Sequence, residues 1–205
     1  MLFHRMILGT MTTNCYIAAN ETTKSAILFD APADAEKILN YLNKKDLKLK
    51  YVFLTHAHFD HILALSEIIH ATGAKLALHK DEVKYLNDAS LNLAGIGNVV
   101  LPPFKEDVVF EDGDEFNFEG TEIKVIHTPG HTEGSVCYFF DNILISGDTL
   151  FKQNIGRSDF PLGNFEHEII SIKEKLMMLD DDVLVYPGHG FSTSIGKERK
   201  ENPYI

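Results

Sequence analysis

The segment His56-Ala-His58-Phe-Asp60-His61 places four metal-ligating side chains within six residues. Three further candidates sit in loops containing glycine, each just after a short apolar run. His131 follows Thr128-Pro129-Gly130, Asp148 follows Ser146-Gly147, and His189 follows Pro187-Gly188. Glycine lets the backbone pack closely there while the neighbouring ligand points into a shared cleft. Five imidazoles and two carboxylates suit borderline divalent metals: zinc, or iron or manganese, rather than calcium. Seven donors exceed the needs of one tetrahedral ion. They match two ions about 3.5–4 Å apart that share a carboxylate. Such a pair lowers the pKa of a held water to ~7 or below, which predicts hydrolysis by a metal-bridging hydroxide.

The elements that must position these residues are short. Strand-like runs rich in β-branched and aromatic residues occur at 26–30, 51–54, 75–79, 123–126, 135–140, 143–145 and 183–185. Asp141-Asn142 between two such runs signals a two-residue hairpin, and Asp112-Gly113 and Glu119-Gly120 mark further turns. Helical periodicity predicts a helix through Ala35, Ile38, Leu39 and Leu42 with Asp34 as N-cap. It predicts a second helix starting at His61 or Ile62 and passing through Leu65 and Ile69. The longest stripe runs through Phe165, Ile169, Ile172, Leu176 and Leu179, a core-facing helix. Residues 91–103 read as a loop. The mixture implies an α/β or α+β class in a single domain spanning residues 1–205.

Composition narrows the function. Thirty acidic residues against nineteen basic ones give a net charge of −11, unlike the basic footprint of a nucleic-acid binder. Two divalent ions would add four positive charges locally, so an anionic substrate stays compatible with the acidic balance. No apolar run is long enough for a membrane span, and the N-terminus does not read as a signal peptide. Cys15 and Cys137 form no disulfide framework and read as small buried hydrophobes, which predicts a cytoplasmic protein. His4, His70, His79 and His167 read as surface or packing residues, His127 as a core or supporting residue, and Asp30 as structural or supporting the ligands.

Together, Asn14-Cys15-Tyr16, Ile27-Leu28-Phe29-Asp30, the H-x-H-x-D-H loop, Thr128-Pro-Gly-His131, Ser146-Gly-Asp-Thr149 and Pro187-Gly-His189 resemble the metallo-β-lactamase superfamily. The resemblance implies a four-layer αβ/βα sandwich. It implies that His56, His58 and His131 hold one metal, that Asp60, His61 and His189 hold the other, and that Asp148 bridges. The stretch Asp148-Thr-Leu-Phe151 through Gly156-Arg-Ser-Asp-Phe-Pro161, with residues 195–203, resembles the short glyoxalase II-like hydrolases more than the antibiotic-destroying enzymes. Longer glyoxalase II enzymes carry a C-terminal helical domain that grips glutathione. This chain ends sixteen residues after His189, so that domain is not expected. Arg157 falls where those enzymes place a glutathione-binding lysine and suits a substrate carboxylate.

The implied substrate is a small-molecule thioester, S-lactoylglutathione or a related glutathione conjugate. A thiolate, with a thiol pKa near ~8.5, leaves without a strong general acid, and no dedicated acid is visible near the motif. Asp60 would ligate and orient the attacking water. The main rival is a persulfide dioxygenase, which resembles this group but uses one iron and consumes oxygen. Lactonase and RNA-processing readings fit less well, and the non-enzyme alternative is a metal-binding module without turnover.

Overall fold

The computed structural model describes residues 1–205, which divide into two compact units. The first unit comprises residues 1–78 and 83–109. Its elements are β1 (Leu2–Leu8), β2 (Thr13–Ala19), β3 (Ser25–Phe29), α1 (Ala35–Lys44), β4 (Lys48–Phe53), α2 (Phe59–Ile62), α3 (Leu65–Thr72), β5 (Lys75–His79) and β6 (Val108–Phe110), the last two ending just beyond the unit. The strands form one sheet in the order β1-β2-β3-β4-β5-β6. β1–β2 and β2–β3 pair antiparallel, while β3–β4 and β4–β5 pair parallel through the helical crossovers. β2 and β3 are buried along their whole length, so their side chains do not alternate between core and solvent. Ile38 and Leu42 of α1 and Leu65 and Ile68 of α3 pack into the same core as Ile17, Leu28 and Val52.

The second unit comprises residues 79–82 and 110–205. It holds β7 (Glu115–Phe118), β8 (Thr121–His127), β9 (Val136–Phe140), β10 (Ile143–Gly147), the small hairpin β11 (Leu150–Phe151) and β12 (Asn154–Ile155), α4 (Phe165–Glu174), β13 (Leu184–Pro187), β14 (Thr193–Ser194) and α5 (Ile195–Glu201). The main sheet runs β14-β13-β10-β9-β8-β7. Its core gathers Cys137, Leu144, Leu150, Ile172, Leu176, Val185 and Ile195. As predicted, Asp141 and Asn142 make the turn between β9 and β10, both with positive φ (45° and 63°).

Three expectations need correction. Asp34 stands at the N-terminus of α1 but is left-handed (φ 53°), and its side chain makes no cap bond to the helix. It accepts instead from the Gly9 N–H at 3.1 Å and the Lys37 ammonium at 2.9 Å. The helix expected from His61 is broken into α2 and α3, so Asp60 and His61 lie inside a four-residue helix. In α4 the buried residues are Glu168, Ser171 and Ile172, while Phe165 is 53% exposed. Ile169, Ile172, Leu176 and Leu179 of the expected stripe do pack on the core of the second unit, but Phe165 falls outside it, and the helix ends at Glu174 before a separate short turn over Leu176–Met178. Both cysteines are buried free thiols, and no helix is long and apolar enough to cross a membrane.

Candidate functional site

In the first unit, β4 delivers the chain to Thr55 and the turn that carries His56 and His58. The short α2 then presents Asp60 and His61. The His56 ring lies 4.8 Å from that of His58 and 4.1 Å from that of His61, centroid to centroid. The His61 Nε2 is 3.7 Å from Asp60 Oδ2. All four residues are buried.

Asp30 organises this group. At the end of β3 it accepts from the Thr55 N–H (2.8 Å), the Thr55 hydroxyl (2.8 Å) and His61 Nδ1 (2.9 Å). With Nδ1–H donating to Asp30, the lone pair of His61 resides on Nε2, facing Asp60. The Thr55 hydroxyl, committed as donor to Asp30, offers its oxygen to His56 Nδ1 at 3.2 Å, which orients the second ring in the same way. Asp30 adopts φ 59°, which places its carboxylate back under the loop it supports. Thr13 of β2 donates to Asp60 Oδ2 at 3.1 Å, a support the sequence did not signal.

In the second unit, His131, Asp148 and His189 come together around one carboxylate oxygen. Asp148 Oδ2 is 3.8 Å from His131 Nε2 and 3.6 Å from His189 Nε2. A bulge in the pairing of β10 with β13, between Ile145 and Gly147, swings Asp148 off the end of the sheet. The Gly188 N–H donates to the Gly147 carbonyl at 2.7 Å and ties the His189 loop beside it. His131 Nδ1 bonds the Arg157 carbonyl at 2.5 Å, which again leaves Nε2 as the coordinating atom. Thr128 and Thr149 join the loops through their hydroxyls at 2.9 Å.

Glu168 of α4, missed by sequence reasoning, is fully buried behind this cluster. Burial pushes its carboxyl up to about 9; the His131 backbone N–H pulls the other way and the Asp148 charge adds to the rise. A Cβ at residue 130 would collide with Glu168, so glycine before His131 is a packing requirement.

Arg157 lies on the surface. Its guanidinium makes a bidentate pair with Asp159 at 2.9 and 2.8 Å and stacks over the Phe160 ring at 4.5 Å. Only its carbonyl touches a candidate ligand.

His79, Asp81 and His127 form a further group in the second unit, with possible ligand atoms within 4.8 Å of one another. The two rings stack at 3.9 Å with only 16° between their planes, and His127 Nε2 is bonded to the Glu133 carbonyl at 2.7 Å. Imidazole lone pairs lie in the ring plane, so these point side by side rather than toward one ion. The pair is packing, as expected for both residues. Burial, then the His127 charge, push His79 down to about 4; Asp81 opposes, Lys80 adds to the fall and Asp112 opposes. An unfolded chain takes up a proton here below pH ~6.5 that the folded chain refuses until about 4. Stability is therefore lost as pH falls through that window. In urea titrations at pH 7 and pH 4, the native protein should lose about 2 kcal/mol more than His79→Phe, which keeps the stack. Equal losses would rule this out.

The metallo-beta-lactamase superfamily model matches residues 8–189, and the chain belongs to that superfamily. Two relatives are closely similar in length. The probable metallo-hydrolase YqgX of Bacillus subtilis is 36% identical, covering all of this chain and 98% of the relative. The hydroxyacylglutathione hydrolase GloC of Haemophilus influenzae is 32% identical, covering 94% and 92%. Among solved structures, the BLEG-1 B3 metallo-beta-lactamase matches with a TM-score of 0.94 at 34% identity over 99% of both chains. ETHE1 from Myxococcus xanthus matches at 0.83 and 31%, over 99% of this chain and 84% of that one. TTHA1623, solved in a di-iron-bound form, matches at 0.88 and 30%, over 98% and 100%. The chain has the metallo-β-lactamase fold, and its histidines and aspartates are candidate metal ligands in a metallo-hydrolase superfamily.

Proposed function

We propose that the chain is a binuclear metal-dependent thioester hydrolase of the glyoxalase II-like type, working as a single metallo-β-lactamase-like domain. The superfamily match spans both units, which supports reading their two histidine and aspartate groups together. The observation that carries the proposal is the position of Asp148 Oδ2, under 4 Å from two imidazole Nε2 atoms on different loops. A carboxylate so placed suits a bridge. His56, His58 and His131 would hold one ion, and Asp60, His61 and His189 the other, zinc being the first choice and iron or manganese the alternatives. The donor chemistry fits: imidazoles with Nδ1 anchored on Asp30, Thr55 or a carbonyl, and carboxylates beside them. When bound, the ions supply Lewis acidity toward a carbonyl and an activated water.

The remaining work falls to this chain's own groups. Asp60, steadied by Thr13, orients the attacking water. Asp30 and the Arg157 carbonyl keep the rings in one tautomer. A thiolate departs with no residue acting as its acid, which favours thioesters over amides. The exposed Arg157 guanidinium would meet a carboxylate on the thiol half, in exchange with Asp159. The name of the GloC relative supports a glutathione-type substrate. Two buried free thiols are consistent with a cytoplasmic setting.

The test combines metal quantification on protein purified without added metal with a panel of thioesters, including S-lactoylglutathione, and a chromogenic cephalosporin. Two ions per chain, with thiol release that needs no oxygen and disappears in His56→Ala, is the expected result. One iron with oxygen uptake on a persulfide would replace this reading with the dioxygenase, with which the ETHE1 similarity is consistent. Tight metal binding with no turnover would make the chain a metal-binding module.

A further inference from the structure

A cavity of about 300 Å³ lies in the first unit, at the foot of the β1–β2 turn, with Asp60 in its wall. Its other walls are mostly apolar: Leu8, Met11, Ala33, Phe59, Leu63 and Val99 line it, and no lysine, arginine or histidine does. The polar end is the Asp60 carboxylate, whose Oδ2 already receives the Thr13 hydroxyl. The turn that closes one side comes close because Gly9 (φ 69°) has no side chain; a Cβ there would lie 2.9 Å from that of Ala33. Met11, at the tip of this turn, is 52% exposed at the cavity's rim. A thioether on an unbranched chain adapts to apolar ligands of varied shape.

We infer that this cavity receives the acyl half of the thioester, and that the preferred acyl group is an uncharged apolar one of about phenyl or hexanoyl size. The inference rests on the thioester reading above. A dry cavity of ~150 Å³ lined by aliphatic and aromatic side chains takes benzene. The present one has room for a group of that size and a short tether to a carbonyl at the Asp60 end. An acyl group carrying its own carboxylate would meet no lysine, arginine or histidine in these apolar walls. A lactoyl group would leave most of the apolar wall uncovered. The reaction is ordinary hydrolysis: the acyl C–S bond breaks, the water oxygen joins the acyl carbon, and the products are the carboxylate, the thiol and a proton.

The experiment compares kcat/KM of the metal-loaded full chain on acetyl, D-lactoyl, hexanoyl and phenylacetyl thioesters of one neutral thiol, N-acetylcysteamine. Burial of each methylene is worth about fourfold, so hexanoyl and phenylacetyl should exceed D-lactoyl by at least tenfold. Gly97→Leu projects a side chain against Phe59, whose ring edge is 3.2 Å from the new Cβ position, and fills the cavity. It should lower the hexanoyl-to-acetyl ratio at least tenfold. Met11→Asp, on the exposed turn, should lower the same ratio by charging the rim. A preference for D-lactoyl, or a ratio that survives both substitutions, overturns the inference while the hydrolase reading stands. Cleavage of no thioester overturns the hydrolase reading, and the cavity is then judged by binding. The Met11 methyl resonance, assigned through Met11→Leu, should shift with hexanoate and not with lactate. A resonance that ignores hexanoate overturns the inference by itself.

Discussion

Asp30→Ala is expected to lower metal affinity by about 10–100-fold, and thioester turnover with it, although Asp30 is not proposed to touch a metal. The substitution removes the acceptor of three hydrogen bonds at a site that is 2% exposed. The Thr55 N–H and the His61 Nδ1–H lose their carboxylate in a region where water does not replace it, at about 1–3 kcal/mol each. The His61 ring then gains freedom to rotate or change tautomer, and His56 loses the oriented Thr55 hydroxyl that fixes it. Alanine also has to hold φ 59°, a conformation that asparagine and aspartate tolerate better. Asp30→Asn separates these effects: it keeps the backbone preference and part of the hydrogen bonding, and should fall between the native protein and Asp30→Ala. Competition with a chromogenic chelator gives the affinities and urea unfolding of the metal-free protein gives the stabilities. An alanine variant within threefold of native affinity would show that the ligand rings are oriented by something else.

Asp30 could be recognised as structural or supporting because it ends a strongly apolar run. The seven ligand candidates stand out in the sequence because clustered histidines are uncommon and glycines mark the loops that carry them. The β9–β10 turn was visible because Asp141 and Asn142 are both tolerant of positive φ. What the sequence does not reveal has a common cause: tertiary burial that leaves no period in the chain. β2 is buried throughout yet begins with Thr13 and Asn14, so no alternation marks it. Its first residue supports Asp60 from 47 positions away, a separation no local pattern reports. Glu168 is the sharpest case. A glutamate on an amphipathic helix reads as solvent-facing, yet here it is fully buried beside the core-facing stripe, and burial raises its pKa. Arg157 shows the reverse. The sequence points to its guanidinium, and the fold adds its carbonyl, which accepts from His131 Nδ1.

The backbone around Asp148 makes the second large effect. Gly156, just after β12, passes so close to Asp148 that a Cβ on residue 156 would overlap the Asp148 carbonyl oxygen. The obstruction is backbone, not the end of a flexible side chain, so the two segments must separate by about an ångström. Displacements of that size in a preorganised site cost about 10²-fold in rate, and overpacking costs roughly 1–3 kcal/mol of stability. Gly156→Ala should therefore reduce thioester turnover about a hundredfold and lower metal occupancy, because Asp148 faces both His131 and His189. Gly120→Ala is the matched control. Gly120 has φ 88° in the β7–β8 turn with nothing near its Cβ position, so alanine there brings backbone strain of about 1 kcal/mol without touching the ligands. Thermal unfolding should register both substitutions, while metal content and turnover should change only for Gly156→Ala. If Gly156→Ala retains native turnover, then Asp148 does not need the fixed position that a bridging ligand requires, and its assignment to that role fails.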